Sequence, residues 1–244
     1  MQNFNNNYNP YGESSYQGYG VQGIENKVSA VMKTVYLKMF FALLVTAAVS
    51  AGIVVMAPQI SVYIGTHTGV YFVAAIIEVG LVIAISGAIN RMSSTTASLL
   101  FYLFAIVNGV TLSLIGLVYS PVSILKTFII TAGTFGAMSI YGYFTNKNLA
   151  KMGSILMMAL FGLIICMIVN IFWANSTFDW IISGLGVLIF VGLTAWDTQQ
   201  IKNMAQAMPN ASDGRLATLG ALTLYLDFIN IFLMLVQLFG GNRE

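Results

Sequence analysis

The sequence is short of almost everything a soluble protein displays at its surface. Charged residues are 7% of the 244, against about a quarter in ordinary globular chains, which excludes a soluble domain and leaves no surface for nucleic acid. Ten Lys and Arg stand against eight Asp and Glu, so neither sign prevails. The lone cysteine, Cys166, excludes an internal disulfide. Set in an apolar run, it reads as a packing residue rather than a redox group. The single histidine, His67, has no partner with which to hold a metal and reads as a solvated loop residue. What abounds is hydrophobic: 58% of the residues, with a mean hydropathy of +0.83. The class that remains is an all-α polytopic membrane protein in contact with the lipid bilayer.

Stretches long enough to cross a membrane, about 20 mostly apolar residues each, fall at 35–57, 70–89, 99–118, 122–143, 154–174, 180–199 and 216–239. Residues 1–26 are rich in Asn, Tyr, Gln and Gly without an apolar run, and read as a disordered cytoplasmic tail ahead of one seven-helix transmembrane domain, 27–244. The tail lacks the basic start, apolar core and cleavage site of a secretory signal, so the first span is expected to act as its own insertion signal. Basic residues collect in alternate connections: Lys27, Lys33 and Lys38 before or within the start of the first span, Arg91 after the second, Lys147 and Lys151 after the fourth, Lys202 and Arg215 after the sixth. By the positive-inside rule the N-terminus is cytoplasmic. With no transit peptide, the setting expected is a bacterial inner membrane. The charges leave open whether the seventh segment crosses fully or turns back. Small residues recur inside spans, as in "SGLGVLIFVGLTA" and "TAGTFGAMS", the composition that lets helix backbones approach in lipid.

Three carboxylates fall within these spans: Glu78, Asp197 and Asp227. An Asp at the centre of a membrane helix costs roughly 2.5–3.5 kcal/mol, so such residues are functional candidates by default. Helix direction places Glu78 and Asp227 near the midplane and Asp197 near the cytoplasmic end of its span. On the seventh span Gly220, Thr223, Asp227, Asn230 and Gln237 share one sector; on the sixth, Ser183, Gly186, Thr194 and Asp197 share a face. The two aspartates are thus expected to look at each other with no mid-membrane cation between them, the nearest being Lys38 and Arg91. Two facing carboxylates cannot both ionise cheaply and are expected to share a proton, which makes the pair a pH sensor and gate. When both are ionised they offer Ca²⁺ the oxygen ligands it prefers, in a weak, transient metal contact suited to conduction, with Glu78, Thr194, Thr223 and Asn230 as polar lining of the route.

The segments "TAWDTQQIKNMA" (194–205) and "ALTLYLDFINIFLMLVQLFG" (221–240), with "VYLKMFFALLVTA", "EVGLVIAISGAINRMS" and "YGYFTNKNLAKMG", resemble the Bax-inhibitor-one family, also called transmembrane Bax-inhibitor-motif proteins, from about residue 35 onward. The resemblance implies a fold with the last helix central among the other six. It also implies a pH-sensitive Ca²⁺ leak across the membrane with an aspartate pair as sensor, at positions matching Asp197 and Asp227, and Glu78 matches a family acid. It further implies a latch from Asp197 to a basic residue after the second span, where Arg91 is the one present. One departure is plain: a bacterial relative has Arg near the end of the last helix where this chain has Gln237, so an ion pair from that position to Glu78 cannot form.

Other intramembrane chemistries fit less well. An aspartyl protease also needs two aspartates sharing a proton, but its Gly-x-Gly-Asp and Pro-Ala-Leu contexts are absent. A retinal protein needs a Lys in the last span, and a rhomboid-type serine protease an intramembrane His; neither is present. The expectation is therefore a protein that is not an enzyme and holds no resident cofactor, with protons and calcium ions as its ligands. The alternative is a non-channel modulator that binds other membrane proteins, such as a membrane protease or a stress-response complex.

Overall fold

A helix N-terminus has N–H groups with no partner of their own, and inside a membrane few can be left to water. Three of the helices here carry a side-chain cap. Ser93 Oγ accepts from Thr96 N, Ser120 Oγ from Ser123 N with Pro121 following it, and Asn175 Oδ1 from Phe178 N. The computed structural model describes residues 21–208 and 210–241. Over these, the helices are α1 (Val21–Met56), α2 (Pro58–Thr66), α3 (Thr68–Ala88), α4 (Ser94–Leu112), α5 (Ile115–Val118), α6 (Pro121–Phe144), α7 (Ala150–Trp173), α8 (Ser176–Ala207) and α9 (Asp213–Phe239). Seven candidate spans are long and apolar enough to cross a membrane, the third combining α4 with α5. The protein is an integral membrane protein, all α-helical among the described residues.

Three boundaries differ from the sequence reading. Helix α1 starts at Val21, inside the segment read as tail, because Val28, Val31, Met32 and Val35 form a helical stripe that is buried in the bundle; residues 1–20 of the tail lie outside the described residues. The connection after the first span is not a loop but α2, opened by Pro58 in its first turn. The third span is broken: α4 stops at Leu112 and the chain tightens through Ser113 and Leu114 before α5. Ser113 Oγ accepts there from Ser61 of α2 at 2.8 Å.

Burial is uneven among the spans. Helix α9 packs against α1, α3, α4, α6 and α8 and is the most buried of the seven. Leu224, Phe228, Ile231 and Leu235, apolar residues that a helical wheel would allow to meet lipid, are instead buried. Helix α7 stands outside this group. It packs against α8 and reaches the α9 side through the cluster that joins Leu163 to Ile231, Met234 and Leu235. The closest approaches use glycine for want of room. A Cβ on Gly142 of α6 would collide with the Ala195 backbone of α8, and one on Gly153 of α7 with the Trp196 ring. These two contacts fall just before Asp197 and hold that turn of α8 against α6 and α7.

One end of the bundle carries most of the basic residues and is called the basic end below. Lys27 pairs there with Asp213 at 3.0 Å, Arg215 donates to Asn90 O at 2.8 Å, and Lys38 is held by Ser98 Oγ, Thr218 Oγ1 and Gly214 O at 2.7, 2.6 and 3.2 Å. Gln199 clasps the α6–α7 connection from α8, accepting from Leu149 N and donating to Lys147 O. Lys126, near the opposite end, is exposed on α6, where its long stem can carry the ammonium toward the interface.

Candidate functional site

Helices α8 and α9 meet along the small and polar faces that the spacing picked out. Ser183 Oγ donates to Gln237 Oε1 at 2.6 Å, Gly186 leaves room for Met234, and Gly220 for Ile201. Between these contacts the carboxyl groups of Asp197 and Asp227 come within hydrogen-bonding reach of each other. The geometry follows from the helix itself: the helices run antiparallel, each side chain leans toward the N-terminus of its own helix, and the two aspartates therefore converge. Asp227 is 4% exposed and Asp197 is half-buried.

The pair is sparsely supported. Asp227 Oδ2 is buried and receives no hydrogen bond from an amide, hydroxyl or cation among the described residues. Ser139 Oγ of α6 and Thr198 Oγ1 of α8 are also buried, and both lie beside the Tyr36 hydroxyl of α1. Among the described residues no group of three or more His, Cys, Asp or Glu forms around the aspartates. Thr194 donates to Phe190 O at 2.8 Å, Thr223 to Leu219 O at 3.1 Å, and the Asn230 amide nitrogen to Leu226 O at 2.8 Å. Each thus donates to the backbone of its own helix, and its side-chain oxygen keeps its capacity to accept.

Glu78 is not part of this cluster. It lies on α3, and both its oxygens accept from α4: Oε2 from Asn108 Nδ2 at 3.1 Å and Oε1 from Thr111 Oγ1 at 2.7 Å. A cavity of about 190 Å³ opens beside it, lined also by Tyr71, Ala75 and Leu233. Asn108 in turn accepts from the Tyr225 hydroxyl of α9 at 2.9 Å. Arg91 does not reach Asp197. It sits exposed in the turn between α3 and α4, and no hydrogen bond or ion pair falls on its guanidinium among the described residues. The expected latch is therefore missing from this packing, because the turn that carries Arg91 is held at the basic end by Arg215. Gln237, where a relative has Arg, is turned toward α8 rather than toward Glu78.

Sequence reading missed Tyr225, Asn108, Thr111 and Thr46. Asn108, an amide within "FAIVNGVTL", is the one that carried a signal, since amides in spans bond across helices. Tyr225 looked like one aromatic among many.

Seven apolar helices with acids buried between them define a polytopic membrane protein built around polar contacts. The model of the family described as inhibitor of apoptosis-promoting Bax1 matches residues 28–244, and the chain belongs to this Bax inhibitor family. It is 44% identical over 178 residues to the inner membrane protein YbhL of Escherichia coli, covering 71% of this chain and 76% of that protein. A protein of Borreliella burgdorferi is 50% identical over 171 residues, 69% of this chain and 74% of its own length. The protein RP147 of Rickettsia prowazekii is 39% identical over 214 residues, 87% of this chain and 90% of its own length.

Proposed function

We propose that this chain forms a calcium leak pathway whose opening is set by a proton shared between Asp197 and Asp227. The observation that carries the reading is the meeting of these two carboxyl groups across α8 and α9, one of them 4% exposed, with no ion pair among the described residues to offset them. Two carboxylates this close repel unless a proton lies between them. Losing that proton puts two negative charges at one interface, which biases the packing of α8 against α9 and offers oxygen ligands to a hard cation. Thr194, Thr223 and Asn230 extend that set of oxygens, and Glu78 with its cavity supplies a second polar station. The protein acts in this reading without catalysis and without a resident cofactor. Its setting is the bacterial inner membrane with a cytoplasmic N-terminus, supported by the name of the E. coli relative and by the basic end formed by Lys27, Arg91, Lys147 and Arg215.

The test is calcium uptake into liposomes holding the purified protein, stepped from mildly alkaline to mildly acidic pH, beside Asp197→Asn and Asp227→Asn. The expected result is a leak whose pH response disappears in both variants. Uptake equal to that of protein-free liposomes at every pH would end the channel reading in favour of a modulator of other membrane proteins.

A further inference from the structure

Tyr225 and Asp227 stand two residues apart on α9, about 200° around the helix from each other. Asp227 faces α8. Tyr225 faces the other way, wedged edge-on between Phe101 and Phe104 of α4 with ring centroids 5.7 and 5.6 Å away, and it is fully buried. Its hydroxyl has one proton, given to Asn108 Oδ1 at 2.9 Å. Thr46 of α1 lies 2.7 Å from the same hydroxyl and donates its one proton to Ala105 O of α4 at 2.9 Å, so it sits beside the Tyr225 oxygen without fixing it. The Asn108 amide is then used at both ends, since its nitrogen donates to Glu78 at 3.1 Å. One hydrogen-bonded chain therefore runs from α9 through α4 to α3.

Helix α3 depends on that chain. It is largely exposed along its length, and among the described residues its side-chain hydrogen bonds to other helices are the two that Glu78 accepts from α4. Asn108 meets Glu78 in the orientation seen because Tyr225 fixes its other end. Any turn or slide of α9 that answers a change at Asp227 must carry the Tyr225 oxygen with it, since both sit on one rigid helix.

We propose that Tyr225 is a positioning residue that couples the Asp197–Asp227 pair to Glu78, holding Asn108, and through it α3, in register with α9. The proposal rests on the reading of the aspartate pair as the switch, and it deepens that reading by naming how a second station senses the first. A change at the aspartates shifts Tyr225, Asn108 loses its acceptor contact, and the Glu78 cavity between α3 and α4 loosens.

The experiment reads the cavity itself, with no calcium gradient, so its outcome is separate from whether the protein conducts. In the full chain with Cys166→Ser, Ala75→Cys places a thiol in the wall of the Glu78 cavity, and its rate of modification by a charged methanethiosulfonate reagent is measured in nanodiscs. Asp227→Asn is expected to change that rate several-fold. Tyr225→Phe is expected to change it as well and to remove the response to Asp227→Asn. Asn108→Ala cuts the same tie from α4 and should reproduce the Tyr225→Phe result, whereas Thr46→Val, which leaves the bond to Asn108 intact, should preserve the response. No response to Asp227→Asn in the Tyr225 protein, or the same fold-change with and without the Tyr225 hydroxyl, overturns the proposal.

Discussion

The aspartate pair and Glu78 are carboxylates of the same membrane bundle, yet their surroundings are opposite. Glu78 has a hydroxyl and an amide donating to it, one to each oxygen, and a cavity beside it. Asp227 is more deeply buried, has Asp197 for a neighbour and receives no donor on Oδ2. A satisfied acid adds to the cohesion of its helices, while an unsatisfied pair leaves its interface poised, because each added or removed proton changes the balance at once. The contrast separates a station that holds from one that switches.

The sharpest way to break this contrast is to neutralise the two sites separately. Asp197→Asn or Asp227→Asn should abolish the pH response of calcium uptake, whereas Glu78→Gln, which keeps an acceptor for Thr111, should change the size of the leak and retain its pH response. Equal loss in all three would collapse the distinction. Next in size is Gly142→Leu, which drives a side chain into the Ala195 backbone next to Asp197; thermal unfolding in detergent should show a loss of about 3 kcal/mol, the cost of overpacking a filled interface. Glu78→Leu leaves the Asn108 nitrogen without its acceptor and should cost about 1–3 kcal/mol in the same assay. Ser183→Ala removes the bond to Gln237 and should cost about 0.6 kcal/mol, the usual worth of an interhelical hydrogen bond in a membrane. Arg91→Ala should leave uptake at every pH unchanged, and a clear shift there would return Arg91 to the role of latch.

Much of this arrangement could be read from residue types and spacing. The seven spans came from hydropathy, and the facing of Asp197 and Asp227 came from the periodicity that puts Ser183, Gly186 and Thr194 on the same side as Asp197. What escaped did so for physical reasons. Hydropathy fades where polar residues gather, so the end of α8 beyond Gln199 and the lysine-bearing start of α1 were cut short although both continue as helix. The break at Ser113 has no Pro to announce it. Tyr225 shows its hydroxyl only where Thr46 and Asn108 converge from two other helices, and one-dimensional spacing does not encode that convergence.

The position of α9 bears on how the molecule is made. The helix most enclosed by the others is the last of the described helices to leave the ribosome. Until it arrives, Asp197 on α8 lacks the carboxyl group it meets and the Asn108 oxygen on α4 lacks the Tyr225 hydroxyl, and a polar group left unpaired in lipid costs several kcal/mol. The earlier helices can pack on one another, but both faces stay unfinished until the entry of α9 covers them in one step. A chain stopped before Asp213 would leave both polar surfaces open to quality-control proteases.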